Sequence, residues 1–386
     1  MAHATSLQDL APPTRTTRPH PAGPADVVTE LCAALFARFR GYDQRVRARQ
    51  YMDGLLQAEG RKSIANIAAS VGVPGDEQRL HHFVNSSRWA VSPVRRALAA
   101  FLGRDDPDAA WVALPVSIPK AGRHMVGVSP HFSAEDGHRV VGQQACSLWY
   151  ASARMVAPVS WRLGLPDGLG TAQDCVAELL EDVREDARAD ARAGQGAPRL
   201  IVTDARGVGE RAQVARLFGH TSPVAVRISG RTLLAVGEQR RGAGRVERLA
   251  PAHSALDRAR RTRYAGRSPY GEGPLATATV SVRLPGRTGT AGGLALLGVW
   301  HELRGAPAEL WLTNAGDPSS PALLRATRLV RRVDAGWRAR GRDVGLRDYE
   351  GRSFQGWHRH MTLASCAYAM AELRSAGSVG GSSLVA

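Results

Sequence analysis

Lysine is nearly missing from this chain, with Lys62 and Lys120 the only two among 51 basic residues. Uninterrupted apolar stretches are also missing. None approaches the roughly 18 residues that a membrane span requires, which excludes a transmembrane helix. Cysteine is sparse, and Cys32, Cys146, Cys175 and Cys366 form neither a CxxC pair nor a Cys/His cluster at zinc spacing. That pattern argues against a structural metal and fits a reduced cytoplasm. The opening residues, MAHATSLQDLAPPTRTTRPHPAGPAD, have no apolar signal-peptide core and read as a disordered tail. No internal repeat emerges.

What the chain does have is arginine. The formal net charge is +16 over 386 residues, at a sequence pI of about 10.8. Such an excess favours a polyanionic partner, most simply DNA or RNA. The densest cationic region, Arg240, Arg241, Arg245, Arg248, Arg258, Arg260, Arg261 and Arg263, either tracks a phosphate backbone or forms a solvated surface.

From Asp26 to Leu102 the pattern is helical almost throughout. Val27, Leu31, Leu35 and Phe39 share one face, and a second helix is expected over Asp43 to Gln57. A third starts at the N-cap candidate Ser63 and stops at Gly72. After GVPGD, the segment Glu77 to Asn85 offers Leu80, Phe83 and Val84 inward and leaves Gln78, Arg79, His81, His82 and Asn85 to point out. Two short helices around a Gly/Pro turn make a helix-turn-helix candidate, with Arg79, His81 and His82 able to reach DNA, although an ordinary helical hairpin looks similar. A fifth helix is expected from Ser92 and Pro93 to Gly103.

After GRDDPDA the pattern changes to short apolar runs. Strands are expected at Trp111 to Val116, Met125 to Val128 and Val140 to Ser147, followed by a charged helix over Ala172 to Ala193. Leu200 to Thr203 is a buried-strand pattern that delivers Asp204 at its end, ahead of a helix from Glu210 to Phe218. A carboxylate there suits a metal in the crevice of an α/β sheet, or it caps the following helix. RTLLAV, ATATVSVRL, LALLGVW and AELWLTN read as further strands, with a basic loop at Gln239 to Arg245. A helix then begins at Pro321 and leads to VGLRDYEGRSFQGWHRH, which runs into the apolar segment MTLASCAYAMAEL.

Taken in order, YMDGLL with RKSIANIA, QRLHHFVNSSRW, IPKAGRHMVGV, LIVTDARG, ELWLTN and GLRDYEGRSFQGWHRHMTLA resemble a branch of the DDE transposases of bacterial insertion sequences. The resemblance covers roughly residues 40 to 373. It implies an α/β ribonuclease H-like core with a β-rich insertion, preceded by an all-α helix-turn-helix-type domain. On that basis 1–25 is a disordered tail, 26–103 a helical DNA-binding domain, 109–228 with 320–375 the core, 229–319 the insertion and 376–386 a flexible tail.

The resemblance also implies two magnesium ions held by three carboxylates, which would stabilise the attacking and leaving oxygens when water or a 3′-hydroxyl attacks a DNA phosphodiester in line. The second carboxylate falls on Asp204. Where the family carries its first, this chain has Leu114 and Pro115, and no other carboxylate lies on that strand. The third falls on Asp334, with Gly341 at a position where the family has a DNA-contacting lysine, and Glu350 is an alternative. The expectation is a transposase-derived DNA-binding protein, cytoplasmic and nucleoid-associated, with lost or impaired strand-transfer chemistry and a regulatory role or homodimer open to it. Its DNA-binding residues would be Arg79, His81, His82, Arg240, Arg241, Arg245, Arg352, His358 and Arg359; the cluster around His358 either faces DNA or braces the core. Two alternatives stand beside it. One is an active magnesium-dependent transposase that binds metal through Asp204 and Asp334. The other is a fold reused as an interaction scaffold or non-nucleolytic enzyme.

Overall fold

The computed structural model describes residues 24–381 except 73–76, 105, 134–135, 166–174, 177, 182–198, 207–210, 219–221, 242–243, 258, 260, 265–274, 287–292, 303–304 and 318–320. It begins with five helices: α1 (Pro24–Phe36), α2 (Tyr42–Gln57), α3 (Ile64–Ser70), α4 (Glu77–Asn85) and α5 (Val91–Leu102). Their limits follow local chemistry. The Ser63 hydroxyl accepts from the Asn66 N–H at 3.2 Å and caps α3. Gly72, at φ +68°, supplies the left-handed turn just beyond α3. The Gly103 N–H closes α5 on the Ala99 carbonyl. On α4, Leu80, Phe83 and Val84 are buried while Gln78, Arg79, His81 and His82 are exposed, as the spacing of apolar residues requires.

A sheet follows. Its first part is β1 (Ala110–Pro119), β2 (Val128–Ser133), β3 (His138–Ala151), β4 (Val156–Leu163), β5 (Ile201–Asp204) and, beyond helix α6 (Arg211–Leu217), β6 (Val224–Arg227). Both β2 and β4 pair with β3, on its first and second halves, and β3 pairs antiparallel with β1. β1, β5 and β6 then run parallel. The order, β3, β1, β5, β6, is compatible with a ribonuclease H-like core.

The later strands are β7 (Leu233–Arg241), β8 (Gly244–Pro251), β9 (Thr262–Tyr264), β10 (Leu275–Val282), β11 (Leu294–Trp300) and β12 (Glu309–Thr313), with the short helix α7 (Ala252–Ala255) after β8. β12 pairs with β6, so β12, β11, β10 and β9 prolong the main sheet. Only β7 and β8 form a separate ribbon.

Three local readings need correction. The apolar run at Met125–Val128 is not a strand: Gly127 turns there with φ +70°, and β2 starts at Val128. β4 was not expected, because Pro158 cannot donate to a ladder; its pairing with Trp149 sits at an irregularity between Leu148 and Trp149, which accommodates it. The stretch read as a basic loop at Gln239–Arg245 is the turn end of the β7–β8 hairpin. The helix expected over 172–193 is helical at 175–176 and 178–181 and otherwise lies outside the described residues.

Two long helices close the chain, α8 (Pro321–Asp343) and α9 (Phe354–Gly381). α8 lies on β1, β4 and β5. α9 lies between β4 on one side and α1, α2, α4 and α5 on the other. That placement explains its composition. Trp357, Met361, Leu363, Ala364, Cys366, Ala367, Tyr368, Ala369 and Met370 are all buried, and a helix apolar around its whole circumference must be covered on every face.

Candidate functional site

Parallel pairing of β1 with β5 matches Ala113 to Thr203, which sets Leu114 level with Asp204 one residue further along. Asp204 is matched to Arg227 on β6, and Arg227 to Trp311 on β12. Paired residues point to the same face of a sheet, so Leu114, Asp204, Arg227 and Trp311 make a row across four strands. The apolar member of that row stands where the resemblance would place the first carboxylate.

Asp204 is surrounded by guanidinium. Arg206 Nε lies 3.0 Å from both of its carboxylate oxygens and a terminal Arg206 nitrogen 2.8 Å from Oδ2, a fork-to-fork pair. The Arg206 backbone N–H adds a bond of 3.0 Å, and Arg227 approaches Oδ2 at 3.7 Å. The contact with Asp204 holds the Arg206 guanidinium above its usual range.

Beside this pair lies Glu309, which the sequence did not single out. It is 7% exposed and receives Arg331 at 2.5 Å, Trp311 Nε1 at 2.9 Å and Arg227 at 3.4 Å. Burial pushes its carboxyl up, but the hydrogen bonds from Arg331 and Trp311 and the charge of Arg227 outweigh that and hold it below the usual range. Arg227 is pulled down by burial against the attraction of Glu309, and its Nε is buried without a hydrogen-bond partner among the described residues. The only local signal for this group was that Arg206 and Glu309 fall in the quoted segments LIVTDARG and ELWLTN; their convergence on Arg227 is long-range.

The other candidate carboxylates are engaged elsewhere. Asp334 on α8 pairs with Arg338 one turn on, at 3.2 Å, and Glu350 pairs with Arg61. Gly341 is buried, with room for a Cβ only 3.3 Å from the Trp337 ring. Among the described residues no three His, Cys, Asp or Glu side chains gather in a way that could hold a metal ion. Magnesium needs several hard oxygen donors. One carboxylate already chelated by arginine, with leucine beside it, does not fit that requirement.

The signature stretch has a different place. His360 Nε2 donates to the Gly345 carbonyl at 2.7 Å, so Nδ1 is the acceptor for the Tyr51 hydroxyl at 2.8 Å. The Arg359 guanidinium donates to the carbonyls of Val84 and Trp89. The Tyr349 hydroxyl donates to Asn85 Oδ1 at 2.7 Å, which turns Asn85 toward the protein and not outward as expected. The Lys62 N–H donates to Asp348 at 2.8 Å, and Lys120 Nζ donates to the carbonyls of Arg347 and Tyr349 at 2.6 and 2.8 Å. The segments YMDGLL with RKSIANIA, QRLHHFVNSSRW, IPKAGRHMVGV and GLRDYEGRSFQGWHRHMTLA therefore meet at one seam between the N-terminal helices and the sheet, whereas LIVTDARG and ELWLTN meet around Arg227.

Of the residues considered for DNA contact, Arg79, His81, His82 and Arg352 are exposed. His358 and Arg359 are 5% and 8% exposed, with His358 Nδ1 against Arg95 at 3.0 Å, so this pair takes the bracing role. Arg240, Arg241 and Arg245 belong to the β7–β8 hairpin, but their side chains lie outside the described residues.

A mixed sheet with a strand-end aspartate, covered by a long helix, is compatible with a ribonuclease H-like DDE fold. A family model described as "DDE superfamily endonuclease" matches residues 34–282, and the chain belongs to that family as a DDE-type transposase-like protein. Members generally use a divalent metal such as magnesium and act on DNA. The matched residues end before α8 and α9. A search of curated proteins found no match.

Proposed function

We propose that this protein is a transposase-derived DNA-binding protein in which the DDE strand-transfer chemistry is lost or impaired. The observation that carries the reading is the row at the strand ends: Leu114 beside Asp204, and Asp204 locked in a bidentate pair with Arg206. Two-metal phosphoryl transfer needs carboxylates that bridge and orient the ions. Here the one carboxylate at the strand end is neutralised by a cation that would have to leave before a metal could bind.

DNA binding is supported by the family, by the +16 charge and by the exposed polar face of α4. Asn85, at the end of α4, joins it to Tyr349 and Ser353, so Arg79, His81, His82 and Arg352 flank one region of the surface. Helix-turn-helix docking through α4 is the mode this favours.

Mobility shift over a salt series is the test. Binding should be strong at low salt and weaken by orders of magnitude as salt rises, since arginine-phosphate contacts release counterions. No shift at the lowest salt would refute DNA binding. Nicking of supercoiled DNA with magnesium or manganese should be undetectable, and nicking abolished by Asp204→Ala would restore the active-transposase reading.

A further inference from the structure

Between the ends of β6 and β12 lies a cleft of about 440 Å³, lined by Arg206, Arg227, Arg231, His253 and Glu309 together with residues 228–230, 306–308 and 310. Its volume is within the range of sites that enclose a small molecule or a fragment of a larger one. Of the lining arginines, Arg206 is paired with Asp204 and Arg227 with Glu309, which Arg331 also reaches, so with Arg231 four guanidinium groups stand against two carboxylates.

The remaining groups are donors. His253 Nδ1 lies 2.8 Å from the Gly230 carbonyl, which can only accept, so Nδ1 carries the proton and Nε2 is turned away from that bond. Arg227 Nε is buried and lacks a hydrogen-bond partner among the described residues. A buried guanidinium N–H without an acceptor is costly, and an anionic oxygen that drew the Arg227 side chain toward the cleft would relieve it. Arg231 is exposed at the rim, on a turn in which its own N–H is directed to the Ser229 hydroxyl at 3.3 Å.

We propose that this cleft is a phosphate-binding site: it takes a phosphate monoester dianion, either the 5′-terminal phosphate of a DNA strand or a free phosphate. Arginine suits that ligand because its planar fork matches two phosphate oxygens at once. A terminal phosphate carries more charge than a backbone diester and can enter a cleft that a continuous duplex cannot. The DNA-end source rests on the DNA-binding reading above, whereas the site for phosphate does not.

The experiment uses the full chain, wild type and R231E. Arg231 is exposed, so reversing its charge should leave the fold intact, as circular dichroism would verify; His253→Gln is a second variant from a different element. Calorimetric titration with inorganic phosphate should show saturable binding, weakened roughly tenfold or more in R231E and reduced in His253→Gln. In parallel, mobility shift would compare one short duplex with 5′-phosphate or 5′-hydroxyl ends. A preference of about tenfold for phosphorylated ends, lost in R231E, identifies the DNA terminus as the source. Phosphate binding without any end preference assigns the site to free phosphate. Failure of both duplexes to bind while phosphate still binds removes the DNA reading and keeps the cleft. No heat with phosphate together with equal binding of both duplexes overturns the proposal and leaves the DNA reading standing.

Discussion

His358 and His360 sit one turn inside α9, where burial is the main force on their protonation. It pulls His360 down to about 4, against the opposing pull of the Gly345 carbonyl and Asp348, and His358 to about 3, with the charges of Arg95 and Arg162 acting in the same direction. An unfolded imidazole titrates near ~6.5. Below that value the unfolded chain binds more protons than the folded one, so the stability tied to these two residues is complete above about pH 6.5 and is lost as pH falls toward 4. The expected slope is up to roughly 1.4 kcal/mol per pH unit for each histidine. Chemical denaturation at a series of pH values from about 7.5 down to about 5 measures it, and a His358→Gln/His360→Gln double variant should flatten the profile. A flat wild-type profile would show that these rings are protonated in the fold.

The same scale shows where sequence reading stopped. Asp204 was found because a short apolar strand ending in a carboxylate is a local pattern. Nothing local reveals that Arg206 closes on it, that Leu114 lies beside it, or that Glu309, more than a hundred positions on, shares Arg227 with it. Those are facts of strand pairing. Burial of His358 and Arg359 was equally hidden, since a run of Arg and His reads as a solvated helix start until four helices and β4 are placed around it.

At the scale of elements, the Tyr368 side chain of α9 reaches α8 at Gly336. A Cβ there would lie 2.7 Å from the Tyr368 hydroxyl and 3.0 Å from Val156 Cγ2. Tyr368 is 1% exposed and its ring meets Trp149 edge-on, so it has no free direction in which to withdraw. Gly336→Val should therefore destabilise by about 1–3 kcal/mol, read as a lower denaturation midpoint with an unchanged slope. An unchanged midpoint would mean that the two helices can slide apart at no cost.

Most helices were legible because their apolar positions recur at helical spacing and their ends carry Ser63, Gly72 and Gly103. Strands were less so. β4 was hidden by Pro158, and β8 by the charge of GRVERLAP, which has no apolar alternation to announce it.

For the molecule as a whole, the N-terminal helices and the sheet share α9 as a common core element, and polar bonds reinforce the seam at Tyr51–His360, Lys62–Asp348 and Asn85–Tyr349. A chain lacking residues 1–103 would expose the covered side of α9, strip Arg359 of its carbonyl partners at Val84 and Trp89 and leave His360 Nδ1 without the Tyr51 hydroxyl. It should be recovered as aggregate or as a species that binds a hydrophobic dye, and a monodisperse folded fragment would contradict that dependence.

The sequence by itself determined most of the helices, the family, the excess of arginine and the position of the strand-end aspartate, because each is written in residue spacing or in composition. Only the tertiary structure decided what those parts do together. It turned the most recognisable stretch, GLRDYEGRSFQGWHRH, into a seam between two layers, and it gathered Arg206, Arg227 and Arg331 from separate segments around two carboxylates, Asp204 and Glu309. Side chains distant in sequence meet only when strands are paired in register, and the charge balance of a site is a property of that meeting.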